Sequence, residues 1–275
     1  MEDFKIASCQ MNVVDNKVEN VLHAMELVGK AADNSARLVT LPEMFNTPYD
    51  NSKFILNAEE EGDSYSLSML CDSARKHDVY VQAGSIPEFE DDKIYNTAYL
   101  IDNHGKIIGK HRKMHMFDID TDDMKFTESD TLSPGNKVTT IKTDFANISM
   151  AICYDIRFNE FWTLMNKNKS DIVLLPGAFN KTTGPLHWEV LIRSRAIDNQ
   201  CFVVATSPSQ VDNPYYVAWG HSMIVDAWGK VLSSAQEKEE ILYADLSGKT
   251  LTDVRNQIPV LKNRRDDIYD TIYKN

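Results

Sequence analysis

The 275-residue sequence lacks the features that would place it in a membrane, on nucleic acid or outside the cell. No apolar run approaches the about 20 residues that span a bilayer. The opening Met1-Glu-Asp-Phe-Lys-Ile-Ala-Ser-Cys-Gln has no charged stretch leading into a long apolar one. An unexported, cytoplasmic protein with no membrane partner is expected. Basic residues are in deficit, 29 Lys and Arg against 41 Asp and Glu, for a formal net charge of -12. Nucleic acid needs a concentrated basic surface, and the two local clusters, at residues 110–113 and 262–265, do not supply one. Cysteine is scarce and scattered: Cys9, Cys71, Cys153 and Cys201 form no CxxC, which argues against a disulfide scaffold or a zinc ribbon. His115, His187 and His221 lack HxxxH spacing, so no metal site is expected. Repeats and low-complexity tracts are absent as well, and no composition shift divides the chain, so one domain over residues 1–275 is the reading.

What is present is an alternation of strand and helix patterns. Residues 4–11 alternate apolar and polar side chains like a strand, and residues 18–28 repeat apolar positions at helical spacing. Residues 37–45 predict a second strand, which Pro42 must end because it cannot donate to a ladder, leaving Glu43 at the tip. Residues 46–63 are polar and irregular, and Ser64 then caps a helix to about His77. Strands at 79–86 and 95–102 lead through the turn Asp102-Asn-His-Gly into 106–110, a β-hairpin that delivers Lys113 to the level of the other strand tips. Residues 118–136 are acidic and rich in Thr and Ser, and predict a long loop of the kind that covers a site.

The apolar run 148–152 ends abruptly on Cys153, and a helical pattern follows from Arg157. A buried strand therefore delivers Cys153 to a strand-to-helix turn, where the helix start favours thiolate. Further strands are predicted at 171–177, 202–206, 219–225, 231–232 and 240–245, with helices at 186–199 and 246–257. Alternation in both halves implies an α/β class, and the hairpins imply mixed sheets.

Glu43, Lys113 and Cys153 thus share one position, the end of a strand, and together they are the residue types needed for thiol-based acyl transfer. A neutral thiol needs a base to take its proton, which Glu43 can be, and positive charge, which Lys113 can supply. Attack on an amide carbonyl places negative charge on oxygen, for which Lys113 and the backbone N–H of Tyr154 are the candidate partners. Each residue also has a plainer reading: Glu43 as a solvated carboxylate, Lys113 as part of a surface cluster with Lys110 and Arg112, and Cys153 as a core thiol. Asp155 and Arg157 are read as a pair fixing the turn, with carboxylate binding by Arg157 as the alternative. His115, His187 and His221 stand as alternative bases that no spacing singles out, and Cys9 and Cys201 as buried and inert.

Leu41-Pro-Glu-Met-Phe, His111-Arg-Lys-Met-His-Met-Phe-Asp and Ile152-Cys-Tyr-Asp-Ile-Arg-Phe resemble the three catalytic motifs of the nitrilase superfamily of carbon–nitrogen hydrolases. Within it, Thr131-Leu-Ser-Pro-Gly, Pro176-Gly-Ala-Phe-Asn, Thr182-Thr-Gly-Pro-Leu-His-Trp-Glu and Tyr216-Val-Ala-Trp-Gly-His are similar to the omega-amidase branch. The resemblance implies a four-layer α-β-β-α sandwich with two mixed sheets, a homodimer, and a small-molecule amide as partner. The implied reaction is hydrolysis of the distal amide of 2-oxoglutaramate and 2-oxosuccinamate without a cofactor. It also brings in Glu128, from Phe126-Thr-Glu-Ser, as a second glutamate positioning the lysine or the substrate. Phe117, Met124 and Phe126 are then expected to cover the site while Asp118, Asp120, Asp122 and Asp123 point outward. Arg157, Lys181, Arg193 and Arg195 are the cations available for a remote substrate carboxylate. Rival readings are an amidase of deaminated glutathione from the same superfamily and a catalytically silent small-molecule binding protein.

Overall fold

The computed structural model describes residues 1–121, 124–212 and 214–274. The chain runs β1 (Phe4–Gln10), α1 (Lys17–Asp33), β2 (Leu38–Thr40), α2 (Asn51–Asn57), α3 (Tyr65–His77), β3 (Tyr80–Gln82), β4 (Ile86–Glu90), β5 (Lys93–Ile101), β6 (Ile107–Arg112), β7 (Asp118–Asp120) and β8 (Lys125–Thr127). It continues through β9 (Thr139–Lys142), β10 (Asn147–Met150), α4 (Asn159–Lys167), β11 (Ile172–Pro176), α5 (Gly184–Asn199), β12 (Phe202–Thr206), β13 (Met223–Val225), β14 (Val231–Ser234), β15 (Glu240–Leu246) and α6 (Gly248–Gln257). Caps set several of these bounds. Asn16 accepts the Glu19 N–H at the start of α1, and Ser64 accepts that of Leu67 at the start of α3, satisfying amides that have no partner inside the helix.

Side-chain parity along the first strands sets the layers. Phe4 and Ile6 of β1, Leu38 of β2, and Ala98 and Leu100 of β5 face the central apolar cluster between the sheets. Their neighbours Ala7, Cys9, Val39, Tyr99 and Ile101 face outward and are covered by α1 and α3 through Val21, Leu27, Val28, Leu67 and Leu70. Both faces of the sheet are buried. The first sheet has the order β15-β1-β2-β3-β5-β4, with β6 also paired to β5, and the second is β14-β13-β12-β11-β10-β9. The sheets meet where the hydroxyl of Thr206 in β12 bonds to Ser8 of β1 at 2.7 Å and Thr40 of β2 at 2.6 Å. With α4 and α5 carrying Trp162, Trp188 and Ile192 against the second sheet, the four-layer α-β-β-α sandwich with mixed sheets is the fold.

Several segments differ from the sequence reading, which gave no separate strand at β4 and none at β9. Residues 46–63 contain the short helix α2, nucleated by Asp50, whose side chain accepts the Ser52 N–H; seven residues are too few for a periodic signal, and only Phe54 is buried. Residues 118–136 are not one loop, because β7 and β8 pair as an antiparallel ribbon, Ile119 opposite Phe126. Charged residues alternate with apolar ones there, so the polar side alone dominates the composition. Strand directions then gather the tips. β1, β2 and β3 are parallel, and β6 runs the same way because each step from β3 to β5 to β6 is antiparallel. The carboxyl ends of β2 and β6 therefore release Glu43 and Lys113 from one edge, while the parallel β10 and β11 release Cys153 and Ala178 from the facing sheet.

The bend that carries Glu43 depends on Gly84. Its φ is +48°, and a Cβ there would lie 2.0 Å from the carbonyl oxygen of Pro42. Gly84→Ala is expected to lose about 1–3 kcal/mol from the left-handed backbone alone and to lower hydrolytic activity by displacing Pro42 and Glu43. Denaturant unfolding and turnover of the purified variant check this, and wild-type values for both would refute it.

Candidate active site

Lys113 is fully buried, and its ammonium lies between two carboxylates. Nζ is 3.1 Å from Glu43 Oε1, and 2.9 and 2.8 Å from the two oxygens of Glu128, and it donates to the Tyr49 hydroxyl at 3.2 Å. Strand parity separates it from the surface cluster proposed from sequence. Lys110 and Arg112 lie on one side of β6, where Arg112 grips Glu88 through two bonds of 2.8 and 2.9 Å, while His111 and Lys113 point to the buried side. Burial by itself would lower the lysine pKa, but the charges of Glu128 and Glu43 outweigh it and the net shift is upward, so the ammonium stays charged.

Glu43 is held from all directions. Oε1 also accepts Asn96 Nδ2 at 2.8 Å, and Oε2 accepts the Ala178 N–H at 2.8 Å across the sheet interface. Burial raises its pKa above the ordinary carboxylate range, with Lys113 pulling down and Glu128 pushing up. Glu128 in turn accepts the Tyr49 hydroxyl at 2.9 Å and the Phe117 N–H at 2.6 Å.

The Cys153 thiol is buried, and Glu43 and the Ala178 N–H both bear on its ionisation. The Cys153 backbone φ of +43° is unusual for a residue with a Cβ, and Gly177 leaves it room, since a Cβ there would come 3.3 Å from the Cys153 Cα. The helix-start bias toward thiolate expected from sequence is opposed by the surroundings. Burial and the Glu43 charge raise the thiol pKa well above the usual range, against Lys113 and Ala178. Cys153 also opens a 3-10 turn, Cys153–Arg157, and α4 begins only at Asn159, so no α-helix start backs the sulfur. A cavity of about 30 Å³, roughly one water molecule, adjoins Glu43, Tyr49, Ala178 and Tyr216.

The remaining sequence candidates divide. Phe117 is buried, with its ring edge-on to Tyr154 at 5.2 Å, and it joins Met124, Phe126 and Tyr154 in the cluster around Tyr49. Asp118 and Asp120 are exposed, as expected, whereas Asp122 and Asp123 lie outside the described residues. The Asp155–Arg157 pair does not form: Asp155 faces His111 at the end of β6 and His115 just beyond it. Arg157 lies over the rings of Tyr154 and Phe179 and donates to His187 Nδ1 at 3.2 Å. Arg193 and Arg195 are bonded along their own helix and to backbone carbonyls, and Lys181 faces Asp212 at 3.6 Å. His115 is tied to Asp155, His187 to Arg157, and His221 stacks on Trp219, so none serves Cys153. Cys9 and Cys201 are buried, with thiols pushed by burial up to about 12. Tyr49, Asn96 and the Ala178 N–H had escaped the sequence reading; a backbone amide carries no residue signature, and Tyr49 showed only its nearness to Glu43.

A buried thiol, a buried carboxylate and a fixed ammonium are the groups that hydrolysis of a carbonyl compound can use. The carbon–nitrogen hydrolase family matches residues 5–256, and the chain belongs to it. Over 98% of its length it is 44% identical to the mouse (Mus musculus) omega-amidase NIT2, covering 98% of that protein. It is 43% identical to nitrilase homolog 2 of Dictyostelium discoideum, covering 98% of this chain and 84% of the relative. The crystal structure of Saccharomyces cerevisiae Nit3, from branch 10 of the nitrilase superfamily, superposes with a TM-score of 0.89 at 38% identity, over 96% of this chain and 97% of that one. The protein is a nitrilase-superfamily amidase, a hydrolase acting on amide C–N bonds.

Removing the shared cation is expected to show its weight. Lys113→Met leaves Glu43 and Glu128 buried without it, a loss of about 3–5 kcal/mol at neutral pH. The Glu43 pKa, already raised, then rises further, so its charge costs stability above that value and the deficit shrinks as pH falls through it. Denaturant curves at neutral and mildly acidic pH test this; a pH-independent deficit would contradict it.

Proposed function

We propose that this chain hydrolyses the distal amide of small 2-oxo dicarboxylate monoamides, 2-oxoglutaramate and 2-oxosuccinamate, through a thioester on Cys153. The observation that carries the mechanism is a fully buried lysine shared by two carboxylates, one of which, Glu43, bears on the ionisation of the buried Cys153 thiol. In the first step Cys153 attacks the amide carbonyl while its proton passes to Glu43, forming the S–C bond and placing the carbonyl pair on oxygen. The Lys113 N–H groups are all engaged at rest. Protonation of Glu43 removes the charge that holds one of them, freeing it for the oxyanion beside the Tyr154 N–H. Collapse breaks the C–N bond, and Glu43 returns the proton to the leaving nitrogen, releasing ammonia. Water beside Glu43, in the water-sized cavity there, then loses a proton to Glu43 and attacks the thioester. The C–S bond breaks, and the proton returns to sulfur. Glu128, with Tyr49, holds Lys113 in place, and no step uses a cofactor.

The substrate assignment rests on Arg157, which follows the nucleophile by four residues and has no carboxylate partner among the described residues, and on relatives named omega-amidase. The guanidinium, stacked on Phe179, suits the remote carboxylate, and Phe117 and Tyr154 wall the same site. The reading includes one catalytic domain over residues 1–275, a homodimer and a cytoplasmic location, which limited proteolysis, sedimentation and cell fractionation test.

Purified protein should release ammonia from 2-oxoglutaramate, with Cys153→Ala and Glu43→Gln each inactive, and higher kcat/KM on deaminated glutathione would displace this substrate choice. Arg157→Gln should raise KM at least tenfold, the scale of one lost charged bond, for the dicarboxylate monoamides but not for an uncharged amide. Since Glu43 must be ionised to act and burial raises its pKa, kcat/KM should fall as pH drops through a value above the ordinary glutamate value of about 4.3. An acid limb at or below that value would remove Glu43 from the role of base.

A further inference from the structure

The Asp155 carboxylate is completely buried, yet no lysine or arginine pairs with it among the described residues. Oδ2 accepts the N–H of Ile152, the residue before Cys153, at 3.0 Å, and faces His111 Nε2 at 3.4 Å. Oδ1 accepts the N–H groups of Met114 and His115, the two residues after Lys113, at 3.3 and 3.1 Å, and meets His115 Nδ1 at 2.7 Å. Three of the five donors are thus backbone amides, and they belong to two segments 40 or so positions apart in the chain. The contacts extend outward: the His115 ring stacks on Phe158 at 3.6 Å, and Phe158 meets Tyr154 edge-on at 5.4 Å. Burial by itself would raise the carboxyl pKa, but the bonds to His111 and His115 outweigh it and hold the group below the usual range, so it is ionised at neutral pH.

From this geometry we infer that Asp155 is a positioning residue that holds the nucleophile turn and the lysine segment in register. The inference rests on the roles of Cys153 and Lys113 proposed above. A single carboxylate clamps the amide immediately before Cys153 and the amides immediately after Lys113, so neither segment can shift without stretching bonds to the same group. Those bonds are to a charged acceptor in a dry interior, where they are strong and directional. Misplacement of a catalytic group by about 1 Å costs about a hundredfold in rate, and Asp155 touches neither substrate nor sulfur, so its effect must appear through geometry.

Asp155→Asn keeps the volume but turns one acceptor oxygen into a donor facing other donors. It is expected to lower kcat about a hundredfold per folded molecule with KM within about threefold, the folded fraction being taken from near-ultraviolet circular dichroism. Alkylation of Cys153 by chloroacetamide, followed by peptide mass, should slow in parallel and depends on no substrate assignment. A residue that merely held the fold would reduce the folded fraction and the melting temperature while leaving kcat per folded molecule and the alkylation rate at wild-type values; that result overturns the inference. Should Asp155→Asn fail to fold, the partly exposed His115→Ala decides: a fall in kcat at unchanged KM supports the inference, and wild-type kcat overturns it. Amide turnover by Cys153→Ala is a separate failure, read on a different variant, that removes the nucleophile assignment and this inference with it.

Discussion

The Lys113 ammonium, enclosed with Glu43 and Glu128 and out of reach of solvent, is the interaction around which the site is arranged. Taking three charged groups out of water costs several kcal/mol per ion, and the cost is tolerable only where each lone pair and proton finds a partner. Lys113 spends its donors on Glu43, Tyr49 and Glu128. The carboxylates receive Asn96, the Ala178 and Phe117 amides and the Tyr49 hydroxyl in addition. One positive charge against two negative ones leaves the cluster electron-rich. Burial first, and then the neighbouring carboxylate charge, raises the pKa of Glu43 and of the Cys153 thiol.

Glu43 also ties the two halves of the sandwich together at the site. It leaves the first sheet at the end of β2, and its Oε2 accepts an amide from the end of β11 in the second. The same amide bears on the ionisation of the buried Cys153 thiol. A carboxylate with one oxygen fixed by its own sheet's lysine and the other by the opposite sheet is held in one orientation. The arrangement suits a reaction in which the same carboxylate must take and return a proton more than once. The neutral resting thiol fits this too, because the proton then moves during attack rather than before it.

Much of the fold was legible because its signals are local. Alternation marked the strands, helical spacing and Ser64 marked α3, and Pro42 marked the strand end that releases Glu43. The segments that escaped include ones whose signal is short or masked: the short strands β4 and β9, α2, with one buried residue in seven, and the β7–β8 ribbon, whose charged side hides its apolar one. Among the site residues, position at a strand end singled out Glu43, Lys113 and Cys153. The family resemblance was needed for Glu128, because nothing in a polar segment distinguishes one carboxylate from its neighbours.

The amino-acid sequence by itself determined which strands form, which residues stand at their tips, and the family to which the chain belongs, since these follow from periodicity, proline chemistry and motif. Tertiary structure alone decided which partners meet. Tyr49 reaches Glu128 across 79 positions and Ala178 reaches Glu43 across 135, and Asp155 bonds to the lysine segment rather than to Arg157 two residues away. It also decided the charge of the thiol, because the local rule that a helix start favours thiolate was outweighed by burial and a facing carboxylate. Ionisation depends on the dielectric and on every charge within a few ångströms, and those distances exist only after the two sheets have packed.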